Sequence, residues 1–225
     1  DSRTHFGIFA PGVTQLFPKG HIINLHPWEH NDVAPALAAA FSTDVPIVAL
    51  HLTRPAIEVP DRQKMGIASH FDASKGAYLI RDFDERPRDG VVIVRGTSST
   101  NTVVSILEDI SSKHNVKIVS AISWELFDMQ DSEYKSSIIG DQEWVDSMVI
   151  TNTGLNVMKN WISNRVVADY SLSPDWDNRW RTGGSLEQII DEAHLSPRWV
   201  MKSIAKFATD RSKRLERLKQ EIPEK

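Results

Sequence analysis

Two short apolar runs separated by a helical pattern mark the middle of the chain. Val91–Val94 is β-branched throughout and uncharged, which is typical of a strand buried on both faces. Apolar residues then recur at helical spacing from Val103 to Ile110, and Val116–Ile122 is predicted to be a second strand. Two strands joined by a helix predict a parallel βαβ unit, because such crossovers are right-handed and parallel in nearly all cases.

The same alternation of short apolar runs and helical patterns continues on both sides of this unit. The remaining strands are predicted at Ile22–Leu25, Pro46–Leu52, Ala77–Arg81, Ser147–Ile150 and Arg165–Ala168. The last helix is predicted to begin with Ser196 as its cap and Pro197 at its first position. The pattern therefore predicts an α/β fold in which a mostly parallel five-stranded sheet is flanked by helices.

Three stretches of different composition suggest a division of the chain. Residues 1–58 hold two strands and one helix, too little to cover both faces of a doubly wound sheet, so we expect a truncated piece of another α/β domain. Residues 59–89 are rich in proline, glycine and charge and are predicted to be a linker. Residues 90–225 are predicted to form a complete domain.

Composition excludes several classes of function. The net charge of −4 and the pI near 6.1 argue against a nucleic-acid partner, because phosphate backbones require a basic surface. The lack of cysteine excludes disulfides, thiolate catalysis and cysteine zinc sites. No apolar run approaches the ~20 residues that span a bilayer, so we expect no membrane partner and a cytoplasmic location. Because the chain opens at Asp1 without a methionine, we expect it to be trimmed or processed.

Few residues in these patterns point to chemistry by themselves. The turn at 96–101 lies at the start of a predicted helix, where backbone N–H groups can bind an anion, although a plain helix cap is the favoured interpretation. His26 and His30 flank Trp28, but Pro27 interrupts their spacing and no third ligand is evident. We therefore predict no metal site.

A resemblance to a known family becomes visible further along the chain. Residues 123–135 read Ser-Trp-Glu-Leu-Phe-Asp-Met-Gln-Asp-Ser-Glu-Tyr-Lys. This closely resembles a segment of the C-terminal domain of transketolases, in which a Ser/Trp-rich turn precedes Phe-Asp-x-Gln and x-x-x-Tyr. The turn at 96–100 lies where that family has Thr-Gly-Ser-Glu-Val. Pro46–Arg54 resembles the last strand of the family's pyrimidine-binding domain, which ends in Leu-Ser-Arg.

The resemblance implies a function and a place in a larger protein. It makes residues 1–58 the C-terminal remnant of the pyrimidine-binding domain and residues 90–225 the transketolase C-terminal domain. Transketolases use thiamine diphosphate and Mg²⁺ to transfer two-carbon ketol units between sugar phosphates. The family's Gly-Asp-Gly motif and its cofactor-activating glutamate have no counterpart here. We therefore expect no cofactor in this chain alone, no activity, and a need for the rest of the chain or a separate subunit, with a homodimer as the expected assembly.

The family's phosphate ligands carry over in part. Arg54 corresponds to the arginine that helps to hold the substrate phosphate, although it could instead pair with an acid at the strand end. The family's Gly-Pro-Thr-His-Gln loop is replaced by residues 9–15, so its histidine and neighbouring aspartate are absent. His5 lies nearby and could substitute for that histidine. The resemblance assigns no catalytic residue to this chain.

The sequence leaves two other functions open. The domain could be a non-catalytic assembly module, or it could bind a regulatory ligand at the turn formed by Thr97, Ser98, Ser99 and Thr100. The chain could also resemble the beta subunit of a 2-oxoacid dehydrogenase first component, which shares the domain pair. Residues 123–135 favour transketolase over the latter.

Overall fold

Six strands form two sheets in the structure. The computed structural model describes residues 10–54, 56–179 and 183–221. The strands are β1 (Ile22–Leu25), β2 (Ile47–Leu50), β3 (Ala77–Arg81), β4 (Gly90–Arg95), β5 (Val116–Ala121) and β6 (Ser147–Thr151). β1 and β2 pair in parallel as a two-stranded sheet, and the other strands form a sheet in the order β3-β5-β4-β6. Within the second sheet β4 is parallel to both neighbours, whereas β3 is antiparallel to β5.

Helices surround both sheets. The α-helices of the described residues are α1 (His30–Phe41), α2 (Arg62–Met65), α3 (Thr97–Ser105), α4 (Leu107–Lys113), α5 (Trp124–Asp128), α6 (Ser132–Ile138), α7 (Asp141–Val145), α8 (Arg165–Tyr170), α9 (Leu186–Glu192), α10 (Pro197–Thr209) and α11 (Arg211–Glu221). Short 3-10 helices span Ala10–Leu16, His70–Lys75 and Leu155–Trp161. No helix in the described part of the chain is both long and apolar enough to cross a membrane.

The central strand β4 is buried along its whole length and divides the core into two clusters. Successive side chains of a strand point to opposite faces of the sheet. Val92 and Val94 accordingly join one hydrophobic cluster, while Val91 and Ile93 join the other. The predicted parallel βαβ unit is confirmed, because β4 and β5 pair in parallel across the helical segment of α3 and α4.

The two sheets meet at a junction of backbone hydrogen bonds. His26 N donates to Ile122 O at 2.8 Å, and the N–H groups of Ile122 and Ser123 both donate to Gly76 O at 2.8 Å. Gly76 has a φ of 84°, and a Cβ at this position would overlap the backbone of α5. Glycine at this position therefore lets the backbone just before β3 pack directly against the backbone of α5.

A buried ion network joins α1 to α2 and to β3. Arg62 donates to Glu29 Oε1 at 2.7 Å and to Asp32 Oδ1 at 2.6 Å, and all three residues are buried. Tyr78 OH donates to Asp32 Oδ2 at 2.9 Å. The guanidinium also lies 4.9 Å from the ring centres of Trp28 and Tyr78. The network satisfies charges that would be costly to bury alone.

A second buried arginine fixes α11 to the sheet. Arg214 donates to Asp146 Oδ1 and to Asp89 O at 2.8 Å each. Its guanidinium carbon lies 3.4 Å from the centre of the Phe207 ring. The other residues of α11 are mostly charged. Arg214 and Leu218 are the two buried residues of this helix.

The prediction of a five-stranded sheet is wrong, because the second sheet has four strands in the described residues. The segment predicted as a strand at Arg165–Ala168 lies in α8 instead. Its Val-Val pair favours a strand locally, but the Asn164 side chain accepts a hydrogen bond from Val167 N and caps a helix. The position beside β6 is occupied by Leu172 alone, which forms an isolated bridge with Ile150.

The structure differs from the sequence prediction in three further places. The turn at 96–101, interpreted from sequence as a plain helix cap, provides no side-chain cap for α3, because the N-cap residue is Gly96. The last helix is divided at Asp210 into α10 and α11. β3, assigned by sequence to the linker, pairs with β5 in the second sheet. The division of the chain at 58 and 89 stays a prediction.

Candidate functional site

Two adjoining cavities lie where parallel strands end. The larger, about 500 Å³, is bordered by the segment after β2, the start of α3 and one side of α9. The smaller, about 380 Å³, extends from it towards the end of β1. Both cavities are lined by Leu52, Thr53, Thr97 and Asn152. The carboxyl ends of β1, β2, β4 and β6 thus converge on one cleft, the position in which open α/β sheets bind ligands.

Arg54 lies at the larger cavity as an exposed side chain. Within the described residues no carboxylate pairs with its guanidinium, so the structure does not support the ion pair that sequence left open. The described residues that line the two cavities also include no aspartate or glutamate. The cleft is therefore neutral to cationic and suits an anionic ligand.

The start of α3 forms one wall of the cleft. Gly96 has a φ of 90° and carries no side chain that could cap the helix, so the first N–H groups of α3 lack a side-chain acceptor. A Cβ at Gly96 would overlap the side chain of Asn152. Thr97 Oγ1 donates to Pro27 O at 3.1 Å, which ties the turn to the end of β1. Glycine at position 96 thus leaves room for the amide of Asn152 beside a helix N-terminus, where anions bind favourably.

Two stacked histidines form the inner wall of the smaller cavity. The rings of His26 and His51 lie 4.3 Å apart with an angle of 4° between their planes. His26 is buried, and its Nε2 has no hydrogen-bond partner in the described part of the chain. Burial, together with the nearby Arg95 guanidinium, lowers the pKa of His51 to about 4 and that of His26 well below its usual value. Both imidazoles are therefore neutral near pH 7.

A chain of hydrogen bonds connects His51 to the segment that resembles transketolases. Asn24 Nδ2 donates to Glu125 Oε1 at 3.2 Å, and Asn24 Oδ1 lies 3.1 Å from His51 Nε2. Glu125 Oε2 also accepts from Asn24 N and from Ser123 Oγ, both at 3.2 Å. Glu125 thereby holds the amide of Asn24 in one orientation.

Arg95 supplies buried positive charge behind the histidines. It donates to Val157 O at 3.1 Å and to Thr153 Oγ1 at 3.0 Å, and no described residue accepts from its Nε. Burial lowers the pKa of Arg95 to about 9, while the charge of Glu125 opposes this shift. Arg95 remains a cation at neutral pH and is the main charge that disfavours protonation of the two imidazoles, after burial itself.

The structure brings together part of the predicted site. Arg54, Thr97 and Ser98 line the same cavity, although 43 positions separate the first two in sequence. Ser99 and Thr100 are buried, and their hydroxyls have no partner among the described residues. They do not line either cavity. His5 lies outside the described residues.

The pairing of the two histidines and the amide of Asn152 were not predicted from sequence. His51 stands three residues before Arg54 at the same strand end, and His26 directly follows the neighbouring parallel strand. Since the carboxyl ends of paired parallel strands are adjacent, the two histidines could have been placed side by side from the strand prediction alone. Asn152 gave no such signal, because its role depends on the contact with Gly96.

The described residues do not fit a metal-bound diphosphate. Magnesium prefers oxygen ligands, chiefly carboxylates and phosphates. No group of three or more His, Cys, Asp or Glu side chains that could hold a metal occurs in residues 10–54, 56–179 and 183–221. The described residues that line the cleft include no aspartate or glutamate, so they supply no carboxylate ligand for Mg²⁺ at this place.

Comparison with known proteins supports the sequence resemblance. The family model for the transketolase-like C-terminal domain matches residues 76–168. The chain is 31% identical over 144 residues to the chloroplastic transketolase of Craterostigma plantagineum, a match that covers 62% of this chain and 26% of that relative. The chain thus spans about a quarter of the length of this relative.

Solved structures give the same fold. A transketolase from Leishmania mexicana superposes with a TM-score of 0.72 at 15% identity, covering 91% of this chain and 27% of the other. A structure described as a split-gene transketolase, inactive beta4 tetramer, has a TM-score of 0.55 at 11% identity, covering 91% of this chain and 62% of the other. The solved structures thus show a shared fold, while the family match and the sequence relative confirm the resemblance in sequence: residues 76–168 match a transketolase-like C-terminal domain, and the chain is similar to part of the transketolases.

Proposed function

We propose that this chain is the C-terminal portion of a transketolase-type transferase and that Arg54 binds the phosphate of its substrate. The observation that carries the proposal is the unpaired guanidinium of Arg54 on a cleft whose described lining has no carboxylate. The start of α3, which has no side-chain cap, lies on the same cleft and favours the same ligand charge. The family match and the transketolase relative support this chemistry over that of a 2-oxoacid dehydrogenase.

The exposed surface around the two-stranded sheet supports the proposal that this chain needs a partner. Among the described residues β2 pairs with β1 only, and its four apolar residues are half-buried. Leu16 and Phe41 are 82% and 71% exposed. Unpaired strand edges and exposed apolar side chains usually mark surfaces that another element covers. We assign this surface to the cofactor-binding part of the enzyme, as upstream chain or as a separate subunit. The split-gene relative supports the second arrangement, and a homodimer remains the proposed assembly.

Thiamine diphosphate and Mg²⁺ belong to the complete enzyme in this proposal. The isolated chain is expected to bind thiamine diphosphate no more tightly than inorganic diphosphate, because the described residues offer only an anion site. Calorimetric titration of the chain with each ligand in the presence of Mg²⁺ measures the difference. Binding of thiamine diphosphate more than about tenfold tighter than diphosphate, a difference of ~1.4 kcal/mol, would show that the chain carries its own cofactor site.

Replacement of Arg54 tests the phosphate site directly. The change Arg54→Gln is expected to weaken binding of inorganic phosphate by about tenfold or more, since hydrogen bonds to charged groups contribute ~1.5–3 kcal/mol. Calorimetry or phosphate-induced NMR shifts of the residues around the cleft can follow this loss. Arg165→Gln provides a matched control, because Arg165 is also exposed and has no ion pair in the described residues. Equal phosphate affinity in the two variants would contradict the proposal.

A regulatory module remains the second candidate function. The observation in its favour is that Arg54, Thr97 and Ser98 all belong to this chain, so an anion could bind without any other subunit. If phosphate binds at Arg54 but Arg54→Gln leaves transketolase activity of the assembled enzyme unchanged, the regulatory interpretation replaces the catalytic one.

A further inference from the structure

We propose that His51 accepts a hydrogen bond from a hydroxyl group of the bound ligand, and that Asn24 and Glu125 fix His51 in the tautomer that can do so. The inference rests on the proposed function, because the ligand is held in the cleft by its anionic group at Arg54. It assigns a specificity-determining role to His51 and positioning roles to Asn24 and Glu125.

The tautomer of His51 follows from the hydrogen-bond chain. Glu125 accepts from Asn24 Nδ2, so the oxygen of the same amide faces His51 Nε2. An amide oxygen can only accept, and Nε2 must therefore carry the hydrogen. Because the imidazole is neutral near pH 7, Nδ1 of His51 has no hydrogen and retains a lone pair. Glu125 thus determines, through one amide, which ring nitrogen of His51 can accept.

That lone pair has no partner within the chain. Nε2 of His51 makes the bond to Asn24, whereas no described residue donates to Nδ1. The ring is half-buried and lines the smaller cavity, and His26 stacks on its face at 4.3 Å. The stack fixes the plane of the ring, while the bond to Asn24 fixes its rotation. Nδ1 is consequently a preset acceptor at the inner wall of the cleft.

The layout of the cleft defines the class of ligand. Arg54 and the start of α3 lie at the larger cavity, and His51 lies at the smaller one, which shares Thr53, Thr97 and Asn152 with the first. A ligand that enters both cavities would place an anionic group near Arg54 and an uncharged part near His51. A neutral acceptor selects a hydroxyl donor over an alkyl group, since an alkyl group would leave the acceptor unsatisfied. The cleft therefore fits a phosphorylated, hydroxyl-bearing molecule.

Nitrogen-15 NMR tests the tautomer without any ligand. Long-range correlation spectra of the imidazole of the 15N-labelled chain are expected to show hydrogen on Nε2 of His51 at pH 7. In Glu125→Gln the amide of Asn24 is no longer held by a carboxylate, so the spectra are expected to show a mixture of both tautomers. A wild-type spectrum with hydrogen on Nδ1, or an unchanged spectrum in Glu125→Gln, would overturn the assignment.

A pair of phosphate esters tests recognition of the hydroxyl. Glycerol phosphate is expected to bind the chain about twofold to tenfold more tightly than propyl phosphate, which is the range for one net hydrogen bond. In His51→Leu the two esters are expected to bind equally. His51→Gln retains an acceptor and is expected to recover part of the preference. His70 lies outside the cleft, so His70→Leu serves as the control and is expected to keep the preference for glycerol phosphate. Thermal unfolding of every variant separates a loss of selectivity from a loss of fold.

The outcomes separate this inference from the proposed function. If Arg54→Gln weakens both esters and His51→Leu removes only their difference, both proposals stand. Equal affinity of the two esters for the wild-type chain would overturn the role of His51 and leave the role of Arg54 intact. Failure of inorganic phosphate and of both esters to bind would overturn the proposed function, and the inference with it.

Discussion

Replacing Arg62 with alanine is expected to lower the free energy of unfolding by about 3–5 kcal/mol, the cost of removing one partner from a buried ion pair. Arg62 is the cation between Glu29 and Asp32, and all three side chains are almost completely buried. Its loss would leave two carboxylates side by side in the core without compensating charge. Denaturant titration followed by circular dichroism measures the loss, provided that the slope with denaturant is unchanged.

The pH dependence of this loss gives a second readout. Burial already raises the pKa of Asp32, and Arg62 is the main group that opposes the shift. Without Arg62 the pKa of Asp32 in the folded state would rise further above its unfolded value. A carboxyl group with such a shift costs stability at high pH, and this cost falls as the group is protonated. The difference between Arg62→Ala and wild type should therefore be smaller at pH 5 than at pH 8. Lys64→Ala, on the exposed side of the same helix, should stay within about 0.5 kcal/mol of wild type, and an equal effect of both variants would refute the role of the network.

Arg214→Ala is expected to be the other strongly destabilising change, at about 3 kcal/mol. Its guanidinium bonds to Asp146 and Asp89 O and packs on the ring of Phe207, so the variant loses hydrogen bonds and packing together. The expected cost lies at the low end for a buried pair, because Asp146 keeps an ion pair with Arg211 at 3.2 Å. Thermal unfolding monitored by tryptophan fluorescence provides the measurement.

Arg217→Ala is the matched control in the same helix. Arg217 pairs with Asp169 and Glu221 at the surface, where ion pairs contribute about 0–1 kcal/mol. If the two arginines prove equally important, α11 is held by its general charge and not by the single buried arginine. A loss in Arg214→Ala that high salt abolishes would support the same conclusion, because salt screens surface pairs far more than buried ones.

The core of the fold could be predicted from sequence because its strands are buried on both faces. β4 is apolar up to Arg95, and β5 is apolar apart from Lys117 and Ser120. The spacing between the two strands leaves room for a helical crossover, so both strands and their parallel pairing were predicted correctly. The prediction of a strand at Arg165–Ala168 was wrong, because two adjacent valines are typical of a strand. A single polar residue before them, Asn164, decides for the helix. Short elements are determined by such capping contacts, which hydrophobic periodicity does not register.

The candidate site was only partly predictable for a similar reason. Arg54 came from the family resemblance, and Thr97 and Ser98 came from their place at the start of a helix. The structure shows that these three residues line one cleft. It also shows the close approach of Gly96 and Asn152, which shapes this cleft. The relation of His51 to Glu125 could not be inferred, because it passes through Asn24, an ordinary polar residue of a buried strand. Long-range relays of this kind have no local sequence signature.

One hydrophobic cluster contains Ile23 and Leu25 of β1 together with Val92 and Val94 of β4. The described residues before position 58 therefore share a hydrophobic core with the second sheet. Their side chains complete the interior of that sheet, and Arg62 anchors them there. The consequence concerns cooperativity: the chain should denature in a single transition. Proteolytic cleavage between residues 58 and 90 should not liberate two independently folded halves, since each half would expose apolar surface that the other now covers.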